Sequence, residues 1–346
     1  MRRYTLLLLT AFFVLVIVIM GSAYFAGHAG RKDERQMSEE IVVYTTVPVE
    51  QAAVLAREYE KDHPLQVRIV PLTEAEILQR LRKAADTGAK PEADLVLANR
   101  STLQNATIEG RFLSYTSEPS DAVADDFKDI DGYWVGTWYD PVVFAANRDY
   151  LRAEMTIPMT WVELSRAKGT RVAMTDFLAA DAASNLYFSL LMQAGDVVAW
   201  QILKDLHPQV VQYAKYLSTP VRMAGMGEAD VAVAVASEAL RYIRDGYPLT
   251  IIYPADGTSY LLVGTGILQG AKHEAQAEEF SDWLLGDEAQ TAQQKSGFFF
   301  VPTNPATLAY RMFAGKNITL FANQPQFPEQ QRRELLDYWM KNIRFK

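Results

Sequence analysis

Three times between residues 41 and 109 a short apolar run gives way to a stretch whose apolar residues recur at helical spacing, and few folds accommodate that alternation. Ile41-Val42-Val43-Tyr44 ends in Thr45-Thr46, after which Pro48 opens a helix with Val54, Leu55 and Tyr59 on one side. Residues 67–70 read as a second strand, and 74–85 as a helix with Ile77, Leu78 and Leu81 on its inner face and Gly88 as its stop. The run 94–98 ends in Asn99-Arg100-Ser101-Thr102, and 103–109 should turn helical before Gly110. Strands alternating with helices imply an α/β chain with a parallel sheet.

Beyond Asp131-Gly132 the pattern changes. Residues 133–147 form a long strand-like stretch, rich in aromatic and β-branched residues and interrupted by Asp140-Pro141, which reads as a crossing between two halves of the molecule. A second series follows, with strands at 171–174 and 230–235 and helices at about 184–192 and 239–244, the first marked by Ser184-Asn185. A turn at Pro254-Ala255-Asp256-Gly257 precedes a longer strand, 259–268, suited to carry the chain back to the first half. The remainder, 274–285, 287–295 and 329–342, is helical by its spacing.

A chain of 346 residues exceeds what a single core usually holds, so two lobes are allowed. Its net charge is −8, and residues 1–40, with five basic and four acidic side chains, leave −8 − 1 = −9 on the rest, which argues against nucleic acid as a partner. The absence of cysteine removes disulfides, thiolate metal sites, a cysteine nucleophile and a lipid-modified cysteine. Two arginines precede an apolar run at 6–20, so residues 5–26 should direct everything after them out of the cytoplasm, as a cleaved signal or as an anchor. Residues 31–40 are charged and apolar-poor, and read as a tether.

In open α/β sheets a ligand crevice lies at the carboxyl ends of the strands, where helix N-termini point unpaired N–H groups outward. Thr45, Thr46, Asn99, Arg100, Ser101, Thr175, Asp176, Ser184, Asn185 and Ser237 all fall at such ends. Each of these is an ordinary cap when taken alone, and only their coincidence from both halves of the chain points to a site. Hydroxyls, amides and one arginine at converging helix starts suit a small anion such as a phosphate or carboxylate. Tyr139, Tyr260 and Trp138 are candidates for the crevice wall, although aromatics in crossing strands usually serve the core. The four histidines are scattered, and no nucleophile elbow, phosphate-binding loop or dinucleotide fingerprint occurs, so neither an enzyme nor a metal or cofactor is expected. Asp176 and Glu238 are the residues a lyase or hydrolase would use as a base.

IVVYTT at 41–46, DGYWVGTWYDPVVFAAN at 131–147, MTWVEL at 159–164, GEADVAVA at 227–234, GYPLTIIYPADGTSY at 246–260 and VPTNP at 301–305 together resemble type II periplasmic binding proteins of ABC importers, in the ferric-iron and sugar-phosphate branch. The resemblance implies two lobes, each a central mixed sheet flanked by helices, joined by crossing hinge strands around an engulfed ligand. Residues 1–30 would be the signal or anchor, 41–138 and 259–300 the first lobe, and 139–258 and 301–346 the second. It also implies delivery of a small molecule to an ABC permease by a monomer; an anchored N-terminus without a lipid-modified cysteine motivates the alternative, in which the closed lobes report the ligand to a membrane histidine kinase. The resemblance adds Thr258 and Ser259 to the candidate contacts. Iron-binding relatives carry a tyrosine pair after the strand at 230–235, where this chain has Ala236-Ser237-Glu238, which turns the expectation from ferric ion toward an organophosphate or phosphonate. A cleft-facing Glu238 would instead favour an amine.

Overall fold

The computed structural model describes residues 40–153, 157–322 and 327–346. The expected signal or anchor and nearly all of the tether lie outside the described residues; Glu40, assigned to the tether from sequence, begins the first strand. No helix among the described residues is long and apolar enough to cross a membrane. The strands are β1 (Glu40–Thr45), β2 (Gln66–Pro71), β3 (Leu95–Asn99), β4 (Val135–Asn147), β5 (Val172–Thr175), β6 (Val210–Ala214), β7 (Val231–Val235), β8 (Leu249–Ile252), β9 (Tyr260–Ile267) and β10 (Val301–Pro302). Numbering only helices of eight residues or more, α1 is Val49–Asp62, α2 Glu74–Asp86, α3 Arg100–Ile108, α4 Asp181–Ala194, α5 Asp196–Leu206, α6 Ser218–Gly225, α7 Ala236–Arg244, α8 Glu274–Leu284, α9 Asp287–Lys295 and α10 Glu329–Trp339.

The strand order is β2-β1-β3-β9-β4-β7-β5-β6, with β8 and β10 also on β4. Strand β4 belongs to two sheets. Its first half, through Pro141, pairs with β9 and β10, and its second half, from Val142, pairs with β7 and β8. β1 and β5 have parallel neighbours, whereas every partner of β4 is antiparallel, so each lobe is a mixed sheet. The uninterrupted apolar runs have a simple cause: both faces of each sheet are covered. Ile41 and Val43 pack with Leu55, Tyr59 and Phe280, while Val42 and Tyr44 pack on the other face with Ile77, Leu78 and Leu81. The second half of β4 does the same, with Phe144 against Trp161 and Leu186, and Val143 against Val221 and Ala239. Where β4 meets β9, a Cβ on Gly264 would come within 2.3 Å of the Val135 carbonyl oxygen, so only glycine fits.

Three stretches of chain meet where the lobes join. The Val142 N–H donates to the Ser259 carbonyl at 2.9 Å, and Thr258 Oγ1 donates to the Val142 carbonyl at 2.8 Å. The Thr258 N–H in turn donates to Thr319 O at 3.0 Å, and Thr258 O accepts from Phe321 N at 2.9 Å. These bonds place the crossings at 141/142, 258/259 and 320/321. Tyr139 and Asp140 still pair with β9, Val301 and Pro302 pair with the first half of β4, and Tyr310, Phe313, Ile318 and Leu320 join the first-lobe core. Strand β4 runs through Asp140-Pro141 without a break.

Candidate functional site: the cleft between the lobes

Two cavities of about 360 Å³ each open between the lobes and share Asn99, Asp181 and Leu261 in their walls. The first compartment is bounded by Arg100, Ser101 and Gln104 on α3, Asn185 on α4, Tyr260 at the start of β9, and Arg332 on α10. The second runs from Thr46 and Gln51 of the first lobe to Ser237 and Glu238 of the second, with Asp140 on the crossing strand and Trp138, Phe298 and Phe300 as aromatic walls. Both lobes supply residues, and several are the strand-end turns singled out in the sequence.

Local chemistry fixes these side chains. Asn99 Oδ1 caps α3, accepting from the Thr102 N–H at 3.1 Å and the Thr102 hydroxyl at 2.7 Å. Thr46 Oγ1 accepts from the Asn99 N–H at 3.2 Å and so ties the ends of β1 and β3 together. Arg100 lies between aromatic rings, its guanidinium 5.7 Å from the Trp134 ring centroid and 5.5 Å from that of Tyr260, and it donates to the Asp126 carbonyl. Ser101 lies 2.7 Å from Glu74 Oε2, and Asn105 holds the other Glu74 oxygen at 3.0 Å, so that carboxylate is engaged by its own lobe. Asn185 Nδ2 donates to the Tyr260 carbonyl at 3.0 Å and couples α4 to the crossing into β9.

Asp140 is the most perturbed acid of the cleft. Burial raises its carboxyl to about 7, with the nearby Glu238 adding to the rise, while the Ser237 hydroxyl at 2.5 Å and N–H at 3.0 Å oppose it. The Ser237 N–H at the start of α7 is therefore already taken by a carboxyl group of the chain itself. Glu238 stands in the wall of the second compartment and is bonded to Arg241. Burial also pushes the Tyr253 phenol up to about 12, with Asp140 adding to the shift, and pushes Tyr139 upward as well.

Of the expected contacts, Thr46, Asn99, Arg100, Ser101, Asn185, Ser237 and Tyr260 line the cleft. The others do not. Thr45 is fully buried, with Oγ1 donating to Leu97 O at 2.7 Å and accepting from the Val47 N–H at 3.0 Å. Tyr139 belongs to the first-lobe core, stacked on Phe127 at 5.0 Å. Thr175 faces a small apolar cavity inside the second lobe, beside Phe177 and Leu186. Ser184 lies inside α4 and bonds back to Asp181 O, because that helix begins at Asp181 rather than at Ser184. Thr258 and Ser259 are wholly buried in the crossing. Asp176, a candidate base, is instead 3.3 Å from Arg344 within the second lobe.

Sequence reasoning passed over Asp140, Asp181, Gln51, Arg332, Phe298 and Phe300 as cleft residues. The interruption at Asp140-Pro141 was a usable signal: an acid inside an apolar strand must find a partner, and here it finds Ser237. Arg332 offered none, since only the return of α10 to the second lobe brings it to the cleft. Among the described residues no group of three or more His, Cys, Asp or Glu is arranged to hold a metal ion.

The family model of bacterial extracellular solute-binding proteins matches residues 54–325. An uncharacterized protein of Haemophilus influenzae is 28% identical over 73% of this chain and 77% of its own length. A probable ABC transporter periplasmic-binding protein of Sinorhizobium fredii is 22% identical over 89% of this chain and 86% of its own. Among solved structures, the periplasmic binding protein AfuA of Actinobacillus pleuropneumoniae superposes with a TM-score of 0.69 at 22% identity, covering 89% of this chain and 99% of that one. The apo ferric ion-binding protein A of Pasteurella haemolytica gives 0.71 at 14% identity, covering 88% and 98%. With most of its length matched and the two-lobed sheet in place, the chain belongs to the bacterial extracellular solute-binding proteins.

Proposed function

We propose that the chain captures a small polar solute in the interlobe cleft, as a monomer outside the cytoplasm, and delivers it to an ABC permease without turning it over. One observation supports this above all: a single cleft whose two compartments share walls and draw residues from both lobes, next to a junction where three crossings meet. A solute there touches both lobes at once, and closure strengthens each polar contact as water leaves. In this reading an oxygen-rich group of the solute, such as a phosphate, phosphonate or carboxylate, sits in the first compartment. Arg100, placed between the Trp134 and Tyr260 rings, and Arg332 supply charge there, and the Asn185 amide supplies a hydrogen bond, while the Ser101 proton stays with Glu74. The fructose-6-phosphate-bound AfuA, which shares this fold, agrees with that choice.

Differential scanning fluorimetry and calorimetry with fructose 6-phosphate, glycerol 3-phosphate and an aminoalkyl phosphonate test the reading. A solute at a hundred times its Kd stabilises by about 2.7 kcal/mol. At least one probe should raise Tm by several degrees, and Arg100→Ala should reduce its affinity tenfold or more. The reading is lost when no probe of any charge class shifts the transition.

A further inference from the structure

The second compartment differs in chemistry from the first. This inference rests on the solute-capture reading and narrows it. Three acidic side chains, Asp140, Asp181 and Glu238, stand in its walls with a single basic one, Arg241. Arg241 is bonded to one carboxylate oxygen of Glu238, three residues before it, so the pair is neutral overall, and Asp181 has no ion pair among the described residues. The Ser237 N–H at the head of α7 is occupied by Asp140 at 3.0 Å. An anion entering here would therefore meet carboxyl groups and no free guanidinium, and a desolvated charge without a partner is costly.

The remaining wall is aromatic. Phe298 and Phe300 are stacked with ring centroids 6.4 Å apart and planes 9° from parallel, and Trp138, 1% exposed, backs Phe300 at 6.0 Å and 23°. Val47, Pro48, Leu217 and Leu261 close the space with apolar surface. Aromatic faces attract a cation through their quadrupole and tolerate its methyl or methylene groups, while nearby carboxylates answer its charge. We propose that the second compartment receives a protonated amine or quaternary ammonium group of the solute, with its apolar body against Phe298 and Phe300 and its charge directed to Asp181 and to the oxygen of Glu238 that Arg241 leaves free. Together with the arginines of the first compartment, this makes the preferred solute one that carries opposite charges at its two ends.

Calorimetric titration of the full chain with choline, putrescine, phosphocholine and fructose 6-phosphate, repeated on Glu238→Gln and Phe298→Ala, tests the proposal. An amine-bearing probe should bind, and each substitution should weaken it tenfold or more while leaving fructose 6-phosphate within about twofold. Should Glu238→Gln fail to fold, Phe298→Ala carries the comparison alone. Binding of fructose 6-phosphate with no response to any amine overturns this inference and leaves solute capture standing. An amine that binds equally well to both variants overturns it too, because the group then sits elsewhere. Silence from every probe removes this inference together with the capture reading.

Discussion

Thr258 at the junction and Thr46 in the cleft are the same residue type, each set at the end of a strand-like run, and they do opposite work. Thr258 is fully buried and spends its hydroxyl, N–H and carbonyl on the other two crossings, whereas Thr46 is half-buried, lines the cavity and accepts one bond at its hydroxyl from the Asn99 N–H. Thr258 has all its partners within the chain, whereas in the cleft wall Ser101 and Ser237 are engaged and Asp181 has no side-chain partner among the described residues. The lesson is that burial, more than residue type, divides hinge from site. Changes at the junction should cost stability, and changes in the cleft should cost affinity.

Asp140 touches both regions and gives the largest expected effect. Its folded value of about 7 lies above the ordinary carboxylate value near 3.9, so the native chain holds a proton that the unfolded chain releases between about pH 4 and 7. Stability should therefore fall as pH rises through that window, by at most about 4 kcal/mol from this group, and change no further above it. Urea melts across the window should show a smaller slope for Asp140→Asn; an unchanged slope would mean that Asp140 is ionised throughout.

Thr258→Val keeps the shape and removes the bond to the Val142 carbonyl, which should cost about 1–3 kcal/mol in chemical denaturation. Asn99→Ala sharpens the comparison because Asn99 both holds a helix start and lines the cleft. Loss of the α3 cap should cost about 1 kcal/mol and bound solute should weaken as well, both visible in one set of ligand-dependent melts. Arg100→Ala should change unliganded stability least, by about 0.5 kcal/mol, while still weakening solute binding. A destabilisation by Arg100→Ala as large as that of Thr258→Val would erase the distinction.

Much of the fold was legible because buried strands of a two-faced sheet must be continuously apolar, and β1, β3 and β7 stand out for that reason. Strand β6 did not stand out. It lies at the sheet edge, is buried only at Ala214, and so carries no such run. The site was legible to the level of the turn and not of the side chain. Thr45 and Thr46 are adjacent, yet strand alternation sends the first into the sheet toward Leu97 and the second to the cavity. Ser184-Asn185 looked like a helix start, but α4 begins at Asp181 behind Ala180, which offers no side-chain cap, so Asp181 took the wall position assigned to Ser184. Arg332 and Phe298 reach the cleft only through long-range packing, which no local pattern encodes.

Since the chain contains no cysteine, Lys61→Cys on α1 and Lys204→Cys on α5 place one spin label on each lobe without side reactions. The decisive measurement is the distance between these labels with and without the solute that most raises Tm. Capture between hinged lobes predicts a shorter and narrower distribution with solute, reversed by Arg100→Ala. A saturating solute that leaves the distance unchanged would place binding on one lobe alone and contradict the account.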